Sequence, residues 1–188
     1  MTRYFVGIEI PHDIAARLAM LRGTLPDARW IDQADMHLTL RFVGELDGPT
    51  VATFVRELGE IAQRSFTLQL EQPGFFGHDR PRAVWMGVAG NETLNTLHDD
   101  VDRAARLAGL PPDGRKYSPH VTLARIHRGK PAAVARYLSD IGNPFIAPFN
   151  VDRFVLFTSG RSRGGGPYVA EEIFPLGEAG ANADDDEM

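Results

Sequence analysis

One short pattern occurs twice in this chain, and it constrains the fold more than any other feature. Met36-His37-Leu38-Thr39-Leu40-Arg41-Phe42-Val43 and Pro119-His120-Val121-Thr122-Leu123-Ala124-Arg125 each set a histidine and a threonine two residues apart in an apolar run. Side chains on a strand alternate faces, so His37 and Thr39 share one face while Leu38 and Leu40 fill the other. His120 and Thr122 repeat this, with Val121 and Leu123 opposite. A single copy would be unremarkable; two copies, each inside a strand, point to a duplicated half-site.

The rest of the chain reads as alternating strands and helices around those two. Strands are expected at Arg3–Ile10, Trp30–Ile31, 36–43, Phe66–Leu70, Arg82–Ala89, 118–126, Phe145–Phe149, Asp152–Thr158 and Pro167–Phe174. Apolar residues at helical spacing predict helices from Pro11 to about Arg22, Thr50–Arg64, Asn91–Ala108 and Lys130–Ile141. Asn91 is the expected N-cap of the third, and Gly109 its C-terminal stop. Gln72–Pro81, Leu110–Lys116 and Ser159–Gly166 read as loops, being rich in glycine, proline or both. Each half carries a strand, a helix and a motif strand followed by a second helix. The expected fold is therefore α+β and bilobal. Two lobes related by a rough twofold would have antiparallel-rich sheets facing a central cleft, with helices outside. Residues 1–176 form that single domain, and 177–188 a disordered acidic tail.

Charge and cysteine content narrow the chemistry. The formal net charge is −5, but Glu178, Asp184, Asp185, Asp186 and Glu187 account for it, so the body is neutral. A neutral body is not a general nucleic-acid binder held by a large positive field. There is no cysteine, which excludes disulfides, thiolate metal sites and cysteine nucleophiles. No apolar run approaches the length of a membrane span, and the N-terminus reaches Glu9 without a signal peptide, so a cytoplasmic protein is expected.

Opposed motif strands would present two imidazoles and two hydroxyls to one cleft. Histidine exchanges its proton near neutral pH, and a neutral and a protonated ring form an acid–base pair. Threonine hydroxyls donate to anionic oxygens. The set suits in-line displacement at phosphorus: one histidine deprotonates water, the other protonates the departing oxygen. Nothing in the residues breaks the symmetry between them. A strained cyclic phosphodiester requires no metal, and a zinc site lacks a third ligand at recognisable spacing. His12, His78, His98 and His127 read as surface or turn residues. Trp85 reads as core, and Phe75-Phe76 as rim packing or a base-stacking surface. Arg115, Lys116, Arg128 and Lys130 flank the second motif as a basic rim or a solvated loop.

The chain resembles the two-histidine phosphoesterase superfamily, and within it the bacterial and archaeal RNA 2',3'-cyclic phosphodiesterases, also called 2'-5' RNA ligases. The resemblance covers about residues 3–176. It rests on the two motifs, on Arg3–Pro11 and Arg80–Val88, and on the ending from Leu156–Ser159 through Gly166-Pro167-Tyr168 to Pro175-Leu176. It implies metal-free hydrolysis of an RNA 2',3'-cyclic phosphate end to a 2'-phosphomonoester; no cofactor is expected, and a monomer without protein partner is the expected state. His37 would be the proton donor and His120 the proton acceptor, with Thr39 and Thr122 on the phosphate. Arg125 and Arg41 are further phosphate candidates. By strict alternation Arg125 shares a face with neither histidine, so a bend or bulge must turn it. The residues leave two alternatives open: an esterase for a small cyclic nucleotide phosphate, and a non-catalytic module that binds a nucleotide or RNA end.

Overall fold

A computed structural model describes residues 2–159 and 167–178. Their architecture is α+β with ten strands, four α-helices and one 3-10 turn, Gln33–Asp35. Eight strands form one sheet, ordered β10 (Tyr168–Pro175), β9 (Arg153–Ser159), β1 (Arg3–Glu9), β3 (His37–Glu45), β7 (His120–Ile126), β6 (Ala83–Val88) and β5 (Leu70–Phe76), with β2 (Ala28–Trp30) also on β7. All these pairings are antiparallel. The expected two sheets facing a cleft are therefore two halves of one sheet, fused along the motif strands. The fusion is a single residue pair, Leu38 with Val121. Beyond it β7 turns away to pair with β2 at Ala124–Ile126, leaving that edge of β3 open. The cleft is this fork.

Both motif strands carry a bulge at the same place. Successive residues Val6 and Gly7 of β1 pair with Arg41 and Thr39, skipping Leu40. Successive residues Val84 and Trp85 of β6 pair with Ala124 and Thr122, skipping Leu123. An extra residue resets the alternation of faces. Hence Leu40 and Arg41 are both buried, as are Leu123 and Ala124. Gly7 lets β1 follow the bulged strand closely, since a Cβ there would lie 2.8 Å from the Leu38 carbonyl oxygen.

The helices α1 (His12–Ala19), α2 (Gly48–Gly59), α3 (Glu92–Leu107) and α4 (Pro131–Ile141) contribute their apolar stripes to the same core as Leu38, Leu40, Val121 and Leu123. Asn91 caps α3 as expected, accepting from the Leu94 N–H at 2.9 Å, and Gly109 follows at φ +87°. α2 begins earlier than the spacing predicts, because Asp47 caps it and Pro49 opens it. It also ends earlier: residues 63–65 instead bond Gly177, with Gly177 N–H to Gln63 O at 2.9 Å and Ser65 N–H to Gly177 O at 2.7 Å. The body thus reaches one residue into the expected tail; 179–188 lie outside the described residues, as do 160–166 of the expected loop. The 145–149 segment is not a strand: Pro144 and Pro148 remove donors, and only Phe149–Val151 (β8) pairs, with Phe66–Leu68 (β4). Among the described residues no helix is long and apolar enough to cross a membrane.

The clearest correction concerns Gln72–Pro81. Its first half belongs to β5, an edge strand where proline is tolerated, with Pro73 opposite Met86 and Gly74 opposite Trp85. The indole of Trp85 lies flat over Gly74, so a Cβ added there would sit 2.8 Å from Cζ3 and closer still to other ring atoms. Gly74→Ala is expected to cost about 1–3 kcal/mol of folding stability through overpacking against this ring. Denaturant unfolding followed by tryptophan fluorescence measures it; an unchanged midpoint would mean that the indole moves freely.

Candidate active site

The antiparallel register through Leu38 and Val121 sets His37 across from Thr122 and Thr39 across from His120. All four side chains stand on the open face of the fork, opposite the helices, and line one cleft of about 640 Å³. A local twofold runs through the Leu38–Val121 pair. The bulges place Phe42 and Arg125 as its next equivalent pair, each five residues after its histidine. Phe42 is 53% exposed and Arg125 is exposed, and both line the cleft. The bulge that Arg125 needed is thus present. Along the cleft the order is Arg125, the His37–Thr122 level, the Thr39–His120 level, then Phe42.

Both imidazoles are held in one way. His37 Nδ1 lies 2.8 Å from the Asp35 carbonyl oxygen, and His120 Nδ1 lies 2.7 Å from the Ser118 carbonyl oxygen. A carbonyl only accepts, so Nδ1 carries a proton in each ring and Nε2 is the atom left for chemistry. Aromatic walls fix the ring planes. His37 packs 4.7 Å from Phe5, 4.9 Å edge-on to Tyr168 and 6.0 Å from Phe157. His120 meets Phe76 edge-on at 4.7 Å and Trp85 at 6.0 Å. Trp85 and Phe76, read from sequence as core and rim, are the wall of the second histidine.

Burial among these rings depresses both histidines, because an apolar surround disfavours the cation. His37 falls to about 4, chiefly by burial, against the opposing carbonyl of Asp35; the Arg125 guanidinium and then His120 lower it further. His120 is also lowered by burial and by Arg125, against the Ser118 carbonyl. Arg125 therefore acts on both rings from one end of the cleft. The symmetry that the sequence leaves unbroken is broken here: His37 is the less basic of the two in the unliganded site.

The other expected residues separate. Arg41, buried by the bulge, bonds the Asp102 carboxylate and the Pro111 carbonyl. Its guanidinium ties the 110–117 loop to β3, and the residue still lines the cleft beside the motif threonines. Arg115 and Lys116 line the cleft, with the Arg115 guanidinium 5.9 Å from the Phe42 ring centroid, whereas Arg128 and Lys130 do not line it. His98, read as a helix-surface residue, lines the cleft and donates Nδ1–H to the Leu40 carbonyl at 2.8 Å. Phe5, Tyr168 and Tyr117 also belong to the site; Phe5 and Tyr168 lie in segments that carry the family resemblance and Tyr117 directly precedes the second motif strand, but no spacing marked them as site residues. Phe42 did carry one, since aligning the two motifs pairs it with Arg125. Among the described residues no three His, Asp or Glu side chains gather as a metal site.

Comparison with known proteins agrees with this geometry. The family model described as the 2'-5' RNA ligase superfamily matches residues 10–163. A protein of Aeropyrum pernix named RNA 2',3'-cyclic phosphodiesterase is 34% identical over 163 residues, covering 82% of this chain and 92% of its own. A Bacillus subtilis protein of the same name is 31% identical over 160 residues, 82% of this chain and 86% of its own. The crystal structure of E. coli LigT complexed with 3'-AMP superposes with a TM-score of 0.77 at 25% identity, covering 93% of this chain and 98% of that one. By the extent of these matches, this chain belongs to the 2'-5' RNA ligase superfamily.

Proposed function

We propose that this chain hydrolyses the 2',3'-cyclic phosphate at an RNA end to a 2'-phosphomonoester, using two histidines and no metal. The observation that carries the reading is the pair of imidazoles related by the Leu38–Val121 twofold, each with Nδ1–H spent on a carbonyl and Nε2 left free. The relatives' shared name supports the substrate. A phosphorus atom on the twofold would have Thr39 and Thr122 as donors to its non-bridging oxygens, and Arg125 as a fixed cation. His120 takes a proton from water as the water oxygen bonds phosphorus. The bond from phosphorus to the 3' oxygen breaks, and His37 gives that oxygen its proton. Each histidine then holds the other's starting state, and solvent exchange resets them. Arg41 contributes by holding the 110–117 loop. Phe42 offers its ring to a base at the far end. Such a substrate fits a cytoplasmic enzyme acting as a monomer.

The depressed His37 favours weighing the reverse roles, with His120 as donor, because the more basic ring holds a proton more readily before substrate binds. The anionic ester opposes the depression itself by raising both rings as it enters, so His37 can carry a proton in the complex. Single His37→Ala and His120→Ala variants should each lose about 10²–10⁴-fold in kcat on a cyclic-phosphate-ended oligonucleotide with the fold retained. On an acyclic 4-nitrophenyl diester of a nucleoside 2'-phosphate, whose leaving group departs without a proton, the His37 variant should approach the unsubstituted chain and the His120 variant should not. The opposite pattern exchanges the roles, and near-native activity of either variant overturns the mechanism.

Because both free-enzyme histidines lie below their ordinary value, kcat/KM should peak below pH 6.5 and fall by pH 7.5. The kcat profile should sit at higher pH, since bound phosphate restores the cationic form. A kcat/KM plateau through pH 8 would exclude a protonated histidine as the acid. Dialysis against a chelator should leave turnover unchanged, whereas loss that zinc restores would favour the metal reading.

A further inference from the structure

The two bulges are held by different means. On β7, the Leu123 carbonyl accepts from the Ile31 N–H at 2.9 Å, continuing the β2 pairing. On β3, the equivalent Leu40 carbonyl lies on the edge that the fork leaves open. It accepts instead from Nδ1 of His98, a side chain of α3, at 2.8 Å. The His98 ring lies flat on Tyr117, with centroids 3.8 Å apart and planes 5° apart. The Tyr117 hydroxyl reaches the Thr39 carbonyl at 3.4 Å. The next residue in the chain, Ser118, supplies the carbonyl that orients His120.

A bulge paired on one side only, here by β1, is held less firmly than one paired on both, and one residue of slip turns every later side chain to the other face. At β3 that would displace Thr39 and Phe42 together. We infer that His98 and Tyr117 are positioning residues: stacked on each other, they replace the missing strand beside the first motif and couple its bulge to the orientation of His120. One end of the stack holds the backbone of Thr39 and Leu40; the other leads through Ser118 to the second imidazole. The bond to Leu40 uses the Nδ1 proton, which remains whether or not Nε2 is protonated. Burial pushes the Tyr117 phenol well above its usual range, so it stays a neutral donor across the working range.

The inference rests on the cyclic phosphodiesterase reading for its kinetic test and not for its spectroscopic one. In the full chain, His98→Ala should lower kcat on cytidine 2',3'-cyclic phosphate by about tenfold to a hundredfold, the scale of an ångström-sized misplacement. His98→Asn, whose amide still donates, should recover most of that. Tyr117→Phe should be mild because the stack survives, and Tyr117→Ala should match His98→Ala. The ring nitrogen resonances of His120, which His98 does not contact, should shift in His98→Ala and return in His98→Asn. The inference is overturned if His98→Ala keeps kcat within about twofold, if His98→Asn is as impaired as His98→Ala, or if the His120 resonances stay put. A wild-type chain that turned over no cyclic phosphate would sink the functional reading instead, and the His120 shift would still decide this one.

Discussion

One backbone pair, Leu38 with Val121, joins two half-sheets that otherwise diverge. Everything at the site follows from how little that junction contains. A longer ladder would have closed the fork and buried the open face. No ladder would have let the two motifs part. A single antiparallel pair makes a local twofold, and the twofold brings each histidine to the level of the other motif's threonine. The apolar partners Leu38, Leu40, Val121 and Leu123 are all buried on the far face, where the helices cover them. The polar face is therefore dictated by the core packing beneath it.

The environment of the two imidazoles then decides their chemistry. Each loses basicity to burial among aromatic rings and to the Arg125 cation. A site so arranged disfavours positive charge on its histidines until an anion arrives, and an anion offsets both causes by pairing with Arg125 and stabilising the imidazolium. On the proposed mechanism the catalytic protonation state would thereby be tied to occupancy. The apolar packing that favours the neutral ring includes Phe5, Phe157 and Tyr168 around His37.

Much of this was legible in the residues. The alternation of His37, Thr39, His120 and Thr122 against their apolar neighbours predicted the shared face, and the doubled motif predicted the twofold. What escaped has definite physical causes. The bulges add residues without adding any composition signal, so the turn of Arg125 into the cleft and of Arg41 into the core was not readable from strict alternation. β5 contains proline and glycine because it is an edge strand lying under Trp85, and those same residues read as a loop. His98 sits on an amphipathic helix whose polar face normally meets water. Only the three-dimensional gap left by the departing β7 gives it a backbone carbonyl to hold.

The symmetry of the fork has a consequence for product choice. On the proposed mechanism, two imidazoles placed alike by the twofold give backbone geometry no way to choose which ester oxygen of a cyclic phosphate departs. Under that proposal regiochemistry would come from what is unlike along the cleft: the aromatic end at Phe42, the cationic end at Arg125 and the deeper depression of His37. Selectivity between the two hydroxyl positions would thus become a matter of polarity of entry, set largely by the pair of side chains that immediately follow the bulges.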